Sequence, residues 1–146
     1  MSGALRLVGS LLVLLSTLVA ADDLRSVPPR FPQPRITQEQ WVAFKAEVEA
    51  TPDVECRYLK ALQYQCFLGP HGQNPSSHAT MWIFTRPGHP AHPACSRGIL
   101  FLEPHRAAMD RSSYYAGDYE AFKTWAAEFH RLDERELDEI RKSTAR

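Results

Sequence analysis

The chain has 146 residues, with 17 Lys and Arg against 17 Asp and Glu, a formal net charge of zero, and 44% hydrophobic residues. A neutral balance argues against a phosphate-tracking nucleic-acid binder, which needs a basic face, and against a binder of anionic membrane surfaces. The length is that of one domain, able to bury roughly two-thirds of the surface its unfolded chain exposes.

Residues 1–21 read as an export signal. Arg6 is the lone charge of a short leading region, Leu7–Val19 is an uncharged and largely apolar run, and Val19-Ala20-Ala21 supplies the small residues a signal peptidase accepts before Asp22. The run is shorter than the ~18–20 apolar residues a membrane helix needs, so no membrane anchor is expected after cleavage. Removing 21 of the 146 residues leaves 125, with 16 basic and 17 acidic side chains. The expected location is periplasmic or secreted.

Residues 22–36 follow as a proline-rich segment. Pro28, Pro29, Pro32 and Pro34 forbid a helix or a sheet interior, which predicts an extended and poorly ordered stretch. Residues 37–146 then form a single domain. Thr37 is placed as an N-cap with Gln40 as its capping-box partner, and Ile36 and Trp41 as a hydrophobic staple. Trp41, Phe44 and Val48 make one apolar stripe, and Pro52 closes this short helix.

Strand signals come next. Val54–Tyr58, Leu62–Leu68, Ala79–Arg86 and Gly98–Glu103 are rich in aromatic and aliphatic residues. Loops at 69–77 and 87–95 separate them, and the proline in Asn74-Pro75-Ser76 rules out a glycosylation site. Between Pro104 and Gly117 the pattern is ambiguous, with Ser113–Tyr115 able to add a short edge strand. Asp118 caps a long C-terminal helix whose stripe runs through Tyr119, Phe122, Trp125, Ala126, Phe129, Leu132, Leu137 and Ile140. Asp133, Glu134, Glu136, Asp138 and Glu139 are assigned to its solvated outer face. The predicted fold is α+β: a small antiparallel meander of three to four strands, with a short N-terminal and a long C-terminal helix packed on one face.

Three cysteines in an exported chain predict one disulfide and one odd thiol. Loop entropy gives roughly 2.8 kcal/mol for Cys56–Cys66 and roughly 3.6 for Cys66–Cys95, too close to decide. Local geometry favours Cys56–Cys66, because the two flanking segments read as arms of one hairpin in which position numbers summing to 122 face each other. Cys95 is then left over.

The densest chemistry is Arg86-Pro-Gly-His-Pro-Ala-His-Pro-Ala-Cys95. His89, His92 and Cys95 recur every three residues, which in a polyproline-like segment puts them on one edge about 9 Å apart, too far for one metal ion. Only a turn would converge them on zinc or copper(I), so metal binding by His89, His92 and Cys95 is the runner-up reading. A stiff surface loop with solvated histidines is the plain reading. An exposed tyrosine beside it would make it a recognition surface, and of Tyr114 and Tyr115, adjacent in an extended segment, one is expected to face out. The candidate binding residues are therefore His89, His92, Tyr114 and Tyr115. A hydrolase using Cys95 and a histidine ranks third, for want of a surrounding motif. The tryptophans and phenylalanines read as core.

The string Phe84-Thr-Arg-Pro-Gly-His-Pro-Ala-His-Pro93, followed by Ala116-Gly-Asp-x-x-Ala-Phe-x-x-Trp125 and Phe129, resembles a group of small exported proteins of Gram-negative bacteria. The resemblance spans Thr37 to about Asp133. It implies a periplasmic location and transfers no catalytic or binding residue. With no cofactor, no enzyme motif and no nucleic-acid signature, the expected role is that of an envelope binding protein of inhibitor or immunity type, acting on a protein partner.

Overall fold

The computed structural model describes residues 28–69, 77–103 and 106–145. The export signal at 1–21, positions 22–27 of the proline-rich segment, and the Asn74-Pro75-Ser76 motif lie outside the described residues.

Helix α1 spans Gln38–Glu49 and opens on the capping box read from the sequence. The Gln40 amide donates to the Thr37 hydroxyl at 3.1 Å and the Thr37 amide donates to Oε1 of Gln40 at 2.8 Å, so two otherwise orphaned donors are satisfied reciprocally. Trp41, Phe44 and Val48 are its buried stripe, and Ile36 joins them in one cluster.

Five strands follow: β1 Glu55–Leu59, β2 Gln63–Leu68, β3 Ser77–Thr85, β4 Ala94–Glu103 and β5 Arg106–Tyr115. They pair in sequence order, each antiparallel to the next. The fold class is thus α+β with an antiparallel meander, but with five strands where the sequence suggested three or four. The extra one is β5, ten residues long rather than a three-residue edge. The β1–β2 hairpin has the expected register, Cys56 opposite Cys66 and Arg57 opposite Gln65. Cys56 and Cys66 form the disulfide, with Cα atoms 4.1 Å apart, and Cys95 is free and buried.

The helices do not share a face, which corrects the predicted one-sided packing. Partners across the ladder alternate between two layers. The row Tyr64, Phe84, Cys95, Tyr114 lies under α1, while the neighbouring row Gln65, Ile83, Ser96, Ser113 points to the opposite side, where the second helix lies. That helix, α2, spans Tyr119–Thr144, and Asp118 caps it by accepting from the Ala121 amide at 2.8 Å. Adjacent apolar pairs such as Ile83-Phe84 therefore belong to two separate clusters, one per face.

The segment before α1 is also more ordered than its prolines suggested. Proline lacks a donor but keeps its acceptor: the Tyr115 amide donates to the Pro34 carbonyl and Ile36 donates back to Tyr115, both at 2.9 Å, laying Arg35 against the end of β5. Phe31 packs edge-on against Phe44 and Tyr114, and the Arg30 amide donates to the Tyr114 hydroxyl at 2.8 Å.

Along α2 the buried line runs Phe122, Trp125, Phe129, Asp133. Asp133 is 8% exposed and its neighbour Leu132 49%, the reverse of the sequence expectation. The reason is Arg111 on β5. Its Nε and Nη2 donate to the two carboxylate oxygens of Asp133 at 2.6 and 2.7 Å, and its Nη1 donates to the Ser96 hydroxyl at 2.9 Å. The guanidinium also lies 4.7 Å from the centre of the Phe129 ring. Gly98 faces Arg111 across the ladder, and a Cβ there would stand 2.8 Å from Nη2, so the glycine makes room for the guanidinium.

Asp133→Ala leaves a buried guanidinium without its counter-charge and should cost about 3–5 kcal/mol in urea unfolding, whereas Arg111→Met combined with Asp133→Leu should cost less than the single change. A double variant less stable than Asp133→Ala would refute this account of the pair. For the cysteines, Cys66→Ser should destabilise by about 2–4 kcal/mol through loss of the cross-link. Cys95→Ser, which puts a hydroxyl into an apolar layer, should cost about 1–3 kcal/mol by the same measurement.

Candidate functional site

The proline–histidine loop sits at one end of the sheet and ties the two layers together. His92 belongs to the α1 side: its ring meets Trp41 edge-on at 5.2 Å. Its Nδ1 is 3.1 Å from both the carbonyl and the hydroxyl oxygen of Thr85, and since a carbonyl only accepts, Nδ1 carries the proton toward it. The Thr85 hydroxyl in turn accepts from the Ala94 amide at 2.9 Å and donates to the Ala94 carbonyl at 3.1 Å, and that carbonyl also accepts from the Trp41 indole at 3.0 Å. His89 belongs to the α2 side, edge-on to Trp125 at 5.7 Å, with its Nδ1 accepting from the Ala91 amide at 3.0 Å. The Ala116 amide donates to the Pro93 carbonyl at 2.8 Å. Gly117 passes so close that a Cβ would meet the His92 carbonyl oxygen at 2.4 Å.

These contacts revise the picture of the four candidate binding residues. His89 and His92 are half-buried rather than solvated, and each clamps the loop to a different helix. Tyr114 is 2% exposed, within the α1 cluster, and Tyr115 is half-buried, stacked on Phe122 at 4.6 Å. Neither tyrosine faces out as expected. Both inner faces of the sheet are covered at this end, so alternation along β5 carries one ring into each layer.

The structure does not bring His89, His92 and Cys95 together. His89 is held against α2, while Cys95 lies 1% exposed in the α1 cluster on the other side of the sheet. Burial pushes the Cys95 thiol far above the usual cysteine range, which opposes both a thiolate ligand and a nucleophile. Among the described residues no three His, Cys, Asp or Glu side chains group as a metal site, and no helix is long and apolar enough to cross a membrane.

A different feature emerges on the α2 face. A groove of about 670 Å³ lies between the C-terminal half of α2 and the sheet. Its floor is Leu59, Met81, Ile83, Leu100 and Met109 from four strands, and its helical wall is Phe129 and Leu132. Arg57, Arg135, Glu136 and Glu139 rim it, and the Arg111–Asp133 pair lines it beside Phe129. Phe67, 39% exposed, continues the apolar surface toward the β1–β2 hairpin. Apolar floor, charged rim and half-exposed leucine are the anatomy of a binding surface. The sequence signal was the apolar stripe of α2 continuing past Phe129 while Asp133 took the buried position.

The loop carries a pH prediction. Burial lowers the His89 imidazole from its ordinary value, Glu128 opposes that shift and His92 adds to it. The unfolded chain then binds a proton at higher pH than the folded one. Stability is full above about pH 6.5 and declines as pH falls through the lowered folded-state value. His89→Asn, whose side-chain oxygen can accept from Ala91 but does not titrate, should flatten the fall in urea midpoint between about pH 7 and about pH 5. A variant with the parent's full acid slope would refute the assignment to His89.

No family model matches the chain, and no curated protein and no solved structure matches it either.

Proposed function

We propose that the chain is an exported binding protein of the cell envelope, periplasmic or secreted, acting by protein–protein interaction in the manner of an inhibitor or immunity protein. Its resemblance to small exported Gram-negative proteins belongs to the same proposal. The observation that carries it is the groove between α2 and the sheet. It couples an open apolar floor to a rim of two arginines and two glutamates, which suits a polypeptide surface with apolar side chains at its centre and mixed charge around them. The Cys56–Cys66 disulfide supports the location, because such bonds persist in oxidising compartments.

In this reading the histidine loop is the frame and the groove the contact. His89, His92, Tyr114 and Tyr115 already spend their polar and aromatic contacts inside the molecule. The metal-binding alternative has no geometry behind it, since its three side chains are divided between two layers.

A photo-crosslinking amino acid at position 132, at the open side of the groove, should yield one dominant protein adduct in cells exporting the chain. The adduct should weaken at least about tenfold when Phe67→Asp and Leu100→Asp place charges on the apolar surface, while the same probe at Lys142 should give no such product. Equal adducts from positions 132 and 142 would overturn the groove as the contact surface.

A further inference from the structure

β1 is an edge strand. It pairs with β2, and among the described residues no strand pairs with its outer side. The 4.1 Å Cα separation of Cys56 and Cys66 is that of a close, non-hydrogen-bonded antiparallel pair, so the amide and carbonyl of Cys56 point away from β2. Two residues on, those of Tyr58 point outward as well. The Val54 amide is already held by the Thr51 carbonyl at 3.3 Å, which leaves its carbonyl for an outside donor.

Glu55 and Arg57 are both exposed and share the groove face. Arg57 is oriented by donating from Nε to Gln65 at 2.9 Å, a bond that does not use its terminal nitrogens. Tyr58 is 71% exposed on the other face, and no proline or lysine lies within Glu55–Leu59 to block pairing. At the far edge of the sheet Arg35 bridges to Tyr115 at the end of β5.

We propose that the outer edge of β1 pairs antiparallel with β1 of a second copy, about a two-fold axis at Cys56. In that register the two Cys56 residues exchange backbone hydrogen bonds, and each Tyr58 amide donates to the Val54 carbonyl of the other copy. Glu55 of each copy then stands directly opposite Arg57 of the other, at the non-hydrogen-bonded position where side chains are closest. Charge complementarity selects this register. Moving the axis to Arg57 would oppose two guanidiniums, and moving it to Glu55 would oppose two carboxylates. The product is a continuous ten-stranded sheet, twice the five strands of one copy, with the two grooves on one side flanking the junction.

The test is sedimentation equilibrium of the oxidised full chain and three variants across a concentration series, with circular dichroism confirming that each is folded. The parent should be a dimer. Glu55→Arg and Arg57→Glu, each turning two attractive contacts into two repulsive ones, should weaken association at least about tenfold, and the double swap should restore it to within about threefold of the parent. A monomeric parent at about 100 μM, a dimer indifferent to the single swaps, or a double swap that fails to restore association would each overturn the proposal.

Discussion

The guanidinium of Arg111 decides where α2 lies, and much of the molecule depends on that placement. A buried charge is unfavourable unless paired and fully hydrogen-bonded, and here every side of the group is met: a bidentate carboxylate, the Ser96 hydroxyl and the face of Phe129. The pair adds little net stability over an apolar replacement. What it supplies is register. Asp133 can reach Arg111 in one rotation of the helix only, and that rotation buries Phe122, Trp125 and Phe129 while leaving Leu132 half-exposed over the sheet. The groove lies beside this pair: Leu132, Arg135, Glu136 and Glu139 of the helix stand over a sheet floor that includes Leu59, Met81 and Leu100.

The second constraint lies at the opposite end of α2. A sheet covered on both faces needs something to keep its two layers in step, and the loop at 86–95 does this with one histidine per layer. Thr85 is the junction. Its hydroxyl joins the end of β3 to the start of β4, its carbonyl fixes His92, and the same Ala94 carbonyl receives the Trp41 indole from α1. The prolines between the histidines stiffen a segment whose polar groups are already used, which suits a frame better than a flexible contact surface. Because Ala116 donates to the Pro93 carbonyl and Gly117 passes close to His92, the start of α2 inherits the position of the α1 layer.

Local chemistry was legible in the sequence and tertiary placement was not. The capping box at Thr37 and Gln40, the Asp118 cap and the hairpin register through Cys56 and Cys66 are decided by residues within ten positions of one another, where spacing is a sufficient guide. β5 was obscured because Ala107-Ala-Met-Asp-Arg-Ser-Ser113 shows neither alternation nor strand-favouring residues; its partner β4 recruits it over ten paired positions. Two-sided burial was written in the paired apolar residues Ile83-Phe84 and Ile99-Leu100, which a one-sided sheet would leave half wetted. Asp133 sat among four other acids, and only Arg111, 22 residues earlier, distinguishes it from them. The candidate site was least legible, since the loop histidines make hydrogen bonds and ring contacts within the molecule and the groove floor is made of Leu, Ile and Met side chains from four strands.

The disulfide connects these points to the compartment in which the chain is expected to work. β1 is a short edge strand: three of its five residues are exposed, and among the described residues it pairs with β2 alone. Yet it contributes Arg57 and Leu59 to the groove and carries the sheet's open edge. Hydrogen bonds of a short, solvated hairpin arm are individually weak, so without the cross-link β1 would open locally at little cost. The Cys56–Cys66 bond removes that freedom one turn of the pleat from Arg57, and the Cys66 half is itself fully buried in the α1 cluster. Oxidation therefore anchors the groove's outer wall to the core of the opposite layer, and an environment that forms the bond also completes the surface the protein presents.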